Sequence, residues 1–153
     1  MPQLPEVIWK RRLESEFDEM KKSGVAFNVN EEKTDYRLRF VGEGVENSGN
    51  EIKKRFTHEV RILLRREFPY AGGVEVYWTT PIFHPNISKE GLVCIQLLKL
   101  WSPSVSVKNI ADGLKQLLEN PNPKDPLNKE AAEYFISLEK GTPKSIERKP
   151  RIV

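Results

Sequence analysis

The side chains with the most distinctive chemistry are few: one cysteine, Cys94, and two histidines, His58 and His84. A thiolate is a strong nucleophile and a good leaving group, so a lone reactive cysteine suits acyl storage and transfer. Taken alone, the cluster Leu92-Val93-Cys94-Ile95 reads differently, because free cysteine commonly serves as a small buried hydrophobe. Its setting opens a second reading, a nucleophile or acyl carrier on a loop. Cys94 lies inside an irregular stretch from Thr79 to Ser104, dense in Pro, Gly and Asn, and loops of that length are usually functional. Asn86 precedes it, and an acidic loop stiffened by Pro121, Pro123 and Pro126 carries Asp125 further on. A hydrolytic cysteine would need a histidine base within hydrogen-bond reach. His84 belongs to a His-Pro-Asn turn that its ring is expected to brace, and His58 belongs to a strand. One cysteine forms no internal disulfide and, with two histidines, makes a poor ligand set, so no metal is expected.

These residues need one domain to hold them, and 153 residues supply room for one core and little more. Hydrophobic residues at 38% and charged residues at 31% fit a soluble globular chain. No run approaches the ~20 apolar residues of a membrane span, and the start Met1-Pro2-Gln3-Leu4-Pro5 lacks a secretory plan. No membrane association and an intracellular, cytoplasmic location, with the nucleus as an option in a eukaryote, are therefore expected. The net charge of +3 arises from 25 basic and 22 acidic residues, too mixed to point to nucleic acid.

The positioning elements can be read along the chain. Pro5 opens a helix running to about Lys22, with Gly24 past its end and Trp9, Leu13, Phe17 and Met20 on one face. Alternation at Val25, Phe27, Val29 and at Tyr36, Leu38, Phe40 predicts two strands, with residues 30–33 turning between them. A Gly/Asn/Ser-rich loop is expected from Gly42 to Asn50. A third strand follows, with Phe56, His58, Val60, Ile62 and Leu64 on one face, and Val74, Val76 and Trp78 mark a fourth. Short connections imply an antiparallel meander. Gly42-Glu43-Gly44 lacks the Lys-Ser/Thr and the helix of a phosphate loop. Ser106 is the expected cap of a helix carrying Ile110, Leu114, Leu117 and Leu118, which Asn120-Pro121 stops. Asn128 is expected to cap a last helix through Ala131, Ala132, Phe135 and Leu138. The expected division is a domain over residues 1–141 and a short basic tail over 142–153, expected to be mobile.

In order, His84-Pro85-Asn86, Cys94, Trp101-Ser102-Pro103 and Pro121-Asn122-Pro123-Lys124-Asp125-Pro126-Leu127 resemble the ubiquitin-conjugating enzyme family. Arg11-Arg12-Leu13, Phe17 and Met20 are similar to that family's first helix, and Phe68-Pro69-Tyr70 to its strand-ending loop. The resemblance spans roughly Trp9 to Phe135 without a break in order. It implies an α+β sandwich: an N-terminal helix, a four-stranded antiparallel meander, the active-site segment and C-terminal helices. It also implies the activity. Ubiquitin or a similar modifier would pass from an activating enzyme to Cys94 as a thioester, then to a substrate lysine with the help of a ligase, a RING type being expected. No cofactor is implied, since ATP is used by the activating enzyme. By resemblance, Asn86 donates to the oxyanion or holds the loop that shapes it, a donor of this kind contributing about 3 kcal/mol. Asp125 would orient the incoming lysine and ease loss of its proton. His84, Pro85 and Trp101 would support the site. Tyr70, Pro103 and Ser104 would face the ligase, and Lys10, Arg11 and Arg12 the activating enzyme.

The sequence departs from the family pattern in three places. The step from Cys94 to Trp101 is shorter by one residue than in many members, Gln96 stands where an acidic residue or asparagine is common, and Ala71-Gly72-Gly73 replaces a proline-rich step. These differences bear on ligase contacts and leave the catalytic assignment intact. A non-catalytic binding module of the same fold is the main alternative, and Cys94 together with Asn86 and Asp125 argues against it.

Overall fold

A computed structural model describes residues 2–93, Leu98 and residues 101–141. Cys94, Gln96 and the tail over 142–153 lie outside the described residues. Helix α1 (Glu6–Lys22) leads into strands β1 (Ala26–Val29), β2 (Asp35–Ser48), β3 (Glu51–Leu64) and β4 (Val74–Trp78), then helices α2 (Val107–Glu119) and α3 (Lys129–Gly141). The strands form one sheet in the order β1-β2-β3-β4, every neighbouring pair antiparallel. No helix among the described residues is long and apolar enough to cross a membrane.

Alternation puts Tyr36 and Leu38 of β2, Val60 and Ile62 of β3 and Val76 and Trp78 of β4 on the inner face, where all are buried. Leu13 and Met20 of α1 and Val107, Ile110 and Leu114 of α2 close over them. Burying such a side chain stabilises the fold by roughly 2 kcal/mol, so this face fixes the register. Both expected caps form. The Ser106 hydroxyl accepts from the Asn109 amide while the Asn109 side chain accepts from the Ser106 amide, each at 3.0 Å. The Asn128 side chain accepts from the Ala131 amide at 3.1 Å.

The expected loop over Gly42–Asn50 is strand instead. Ser48 pairs with Glu51, leaving only Gly49 and Asn50 to turn, and Gly49 takes the left-handed φ of 68° that a tight hairpin needs. The other glycines serve proximity. A Cβ on Gly44 would sit 2.9 Å from a Leu118 methyl and 3.1 Å from the His58 ring, so a side chain here would require Leu118 to shift. The register slips between Val41 and Gly44, a bulge that lies opposite Phe56. Phe56, expected on the inner face with His58, is exposed as a result.

Candidate active site

The backbone leading to Cys94 is laid against β4. Trp78 donates its amide to the Gly91 carbonyl at 2.7 Å, and Val93 donates to the Val76 carbonyl at 3.2 Å. Ser88 and Leu92 close a small turn between them at 2.9 Å. Gly91 makes this possible: its φ is 95°, and a Cβ there would sit 2.5 Å from the Trp78 carbonyl oxygen.

His84 is 2% exposed, and both ring nitrogens are occupied. Nε2–H donates to the Leu117 carbonyl at the end of α2 at 2.8 Å, while Nδ1 accepts from the Asn86 amide at 3.0 Å. Those two bonds select the neutral ring with its proton on Nε2. Burial pushes its pKa down to about 4, against a smaller opposite pull from the Leu117 carbonyl. His58 is likewise buried, its Nε2 bonded to the Gly42 carbonyl at 2.8 Å, its ring beside Phe40 and Trp78 and its pKa lowered by burial. The expectation that His84 braces its turn is met, and each imidazole is committed to a structural bond.

Asn86 is buried, and its amide is used twice by one partner. Nδ2 donates to the Asn122 carbonyl and Oδ1 accepts from the Asn122 amide, both at 2.9 Å. The fully buried Pro85 adds a second tie, its carbonyl accepting from the Leu127 amide at 2.8 Å and the Asn128 amide at 3.1 Å. Between these pinned points sits Asp125, exposed and at a φ of 49°, preceded by an Asn122 turn in which Oδ1 accepts from the Lys124 amide at 3.0 Å. Lys89, on the turn before Cys94, reaches Glu130 of α3 at 2.6 Å. Of the two roles the resemblance allows Asn86, this geometry matches the one that holds the loop. Sequence reasoning missed Asn122, whose signal was only an asparagine between two prolines, and Glu130, which carried none.

The other expected residues gather at the opposite end of α2. Trp101 Nε1 donates to the Pro69 carbonyl at 2.7 Å, tying two loops together. One loop presents half-buried Tyr70, the other exposed Pro103 and Ser104. On α1, Lys10 pairs with Glu6 at 3.1 Å in full solvent, and Arg11 is exposed. Arg12, expected to face outward with them, turns inward. It donates from Nε to Glu16 at 2.8 Å and from its terminal nitrogen to the Val105 carbonyl at 3.1 Å, and lies 5.0 Å over the Phe68 ring. The cause is Glu16, a buried carboxylate whose other oxygen accepts from the Val107 amide at 2.7 Å. That carboxylate meets the positive start of α2 and needs a cation beside it. The Arg12-x-x-x-Glu16 spacing was visible in the sequence, but its burial was not.

Among the described residues, one helix, a four-stranded antiparallel meander and two further helices define an α+β domain. The E2 domain of a Toxoplasma gondii ubiquitin conjugating enzyme shares this fold, with a TM-score of 0.67 and 23% identity, covering 85% of this chain and 88% of that one. Residues 12–148 match the ubiquitin-conjugating enzyme family. Among curated proteins, ubiquitin-conjugating enzyme E2 13 of Saccharomyces cerevisiae is 31% identical over 114 residues, 74% of each chain. Ubiquitin-conjugating enzyme E2 N of Macaca fascicularis is 37% identical over 84 residues, 54% of this chain and 55% of that protein's length. The chain belongs to the ubiquitin-conjugating enzyme family.

Proposed function

We propose that this protein takes ubiquitin, or a modifier like it, from an activating enzyme as a thioester on Cys94 and passes it to a substrate lysine, with a ligase holding the substrate. The family match over residues 12–148, which includes Cys94, carries this reading. In loading, the Cys94 thiolate attacks the activated modifier carbonyl and releases the activating enzyme's group. In discharge, a neutral lysine amine attacks the thioester carbonyl, the oxyanion collapses, and the Cys94 thiolate leaves as the amide forms. The acceptor lysine must lose a proton, a task given to Asp125. A carboxylate can do this only from a fixed position, and the bonds from Asn86 to Asn122 and from Pro85 to Leu127 and Asn128 support such a position. With His84 and His58 both committed to structural bonds, aminolysis is better served than hydrolysis. The chain itself uses no cofactor in this scheme, ATP being spent by the activating enzyme.

The test is loading with an activating enzyme, ATP and ubiquitin. Wild type should give an adduct that reductant releases, Cys94→Ser an adduct that resists reductant, and Cys94→Ala none. A reductant-stable adduct on wild type, or an undiminished one on Cys94→Ala, sinks the proposal.

A further inference from the structure

The first turn of α3 is built around a buried polar side chain, Asn128. Its Oδ1 accepts from the Ala131 amide and its carbonyl from the Ala132 amide, each at 3.1 Å, which closes the helix start. Its own amide points the other way and donates to the Pro85 carbonyl, also at 3.1 Å. One residue therefore belongs at once to α3 and to the contact with the His84-Pro85-Asn86 turn.

Asp125 lies three residues before Asn128. Little freedom is left between them: the Pro126 ring fixes its φ, and the Leu127 amide donates to the same Pro85 carbonyl at 2.8 Å. Asp125 itself holds a left-handed φ of 49°, a disfavoured conformation that relaxes unless both ends of the loop are fixed. The downstream end is only as steady as the backbone of Asn128, which its side chain keeps in the cap conformation. The body of α3 has other support. Ala131 and Ala132 are buried, Tyr134 packs on Phe83 and Phe135 on His84, with ring centroids 5.8 and 6.3 Å apart. Loss of the cap should therefore be felt over residues 125–128 more than in the fold.

We propose that Asn128 is a positioning residue for discharge, acting through Asp125 by fixing the downstream end of its loop. The inference rests on the role proposed for Asp125, easing the loss of a proton from the incoming lysine. A displaced carboxylate matters most to an amine that arrives protonated. Hydroxylamine, already neutral at pH 7, does not need it.

The experiment compares single-turnover discharge of the loaded protein to free lysine and to hydroxylamine at pH 7. Asn128→Ala should slow transfer to lysine on the order of 10-fold and leave transfer to hydroxylamine unchanged. Asn128→Ser keeps an oxygen for the Ala131 amide and should restore the lysine rate. In an Asp125→Ala background, Asn128→Ala should add nothing. If Asn128→Ala does not fold, Asn128→Gly, which a helix start tolerates better, supplies the same comparison. Equal slowing with both amines, a full further loss on top of Asp125→Ala, or a wild-type rate with lysine would each overturn the proposal. A wild type that does not load, or an Asp125→Ala variant that discharges normally, would overturn the underlying reading and this inference with it.

Discussion

The two ends of α2 are organised in opposite ways. At its C-terminal end, short side chains bond directly to backbone: His84 to Leu117, Asn86 to Asn122 and Asn128 to Ala131. At its N-terminal end, long side chains reach across from other elements: Arg12 and Glu16 from α1, Trp101 from its loop. Short groups have few rotatable bonds and lose little freedom when fixed, whereas an arginine or glutamate loses more. The first arrangement fits the fixed position that the role proposed for Asp125 requires. The second leaves Tyr70, Pro103 and Ser104 on loops tied together through Trp101.

The contrast can be tested, beginning with the largest effect. His84 has a pKa near 4 in the fold against 6.5 in the unfolded chain, so only the unfolded state gains a proton between those values. Its contribution is therefore present above pH 6.5 and lost as pH falls toward 4, a total of about 3 kcal/mol. Chemical denaturation across that range should show the loss, and His84→Gln, which keeps a donor for Leu117 and does not titrate, should flatten the slope. An equal slope in the variant would place the titration elsewhere.

Asn86→Ala frees the Asn122 loop and should slow discharge to free lysine on the order of 100-fold while loading slows far less. Equal slowing of both steps in single-turnover assays would contradict the loop-holding role. At the other end, Glu16→Ala leaves the Val107 amide unmet and Arg12 without its ion partner, a cost of about 2 kcal/mol measurable by urea unfolding. Discharge to free lysine should hardly change, and a loss like that of Asn86→Ala would erase the distinction between the two ends. Lys89→Ala breaks an ion pair in open solvent and should be indistinguishable from wild type in melting temperature. A clear drop would mean that this pair braces the site after all.

Much of the scaffold was legible because it rests on local rules. Alternation marked the inner faces of β2, β3 and β4, and the oxygen-bearing side chains of Ser106 and Asn128 marked two helix starts. Glycine misled at Gly42–Asn50, since the same residue serves turns and close approaches, and only the position of Leu118 distinguishes them. Arg12 misled for a related reason. A basic residue beside others on a helix looks solvated until the depth of Glu16 is known. At the candidate site the order of motifs was visible, but the pairing of Asn86 with Asn122 joins residues 36 positions apart and leaves no local trace.

The double anchorage beside Asp125 also fixes a length. Asn122 is held by Asn86 and Leu127 by Pro85, so two neighbouring residues on one side measure out a span on the other with four residues inside it. Such a span behaves as a ruler. Surface loops elsewhere in the chain can gain or lose residues at small entropic cost. Here a single insertion would have to bulge between fixed ends and carry Asp125 with it, so the length of this loop is part of how it positions the carboxylate.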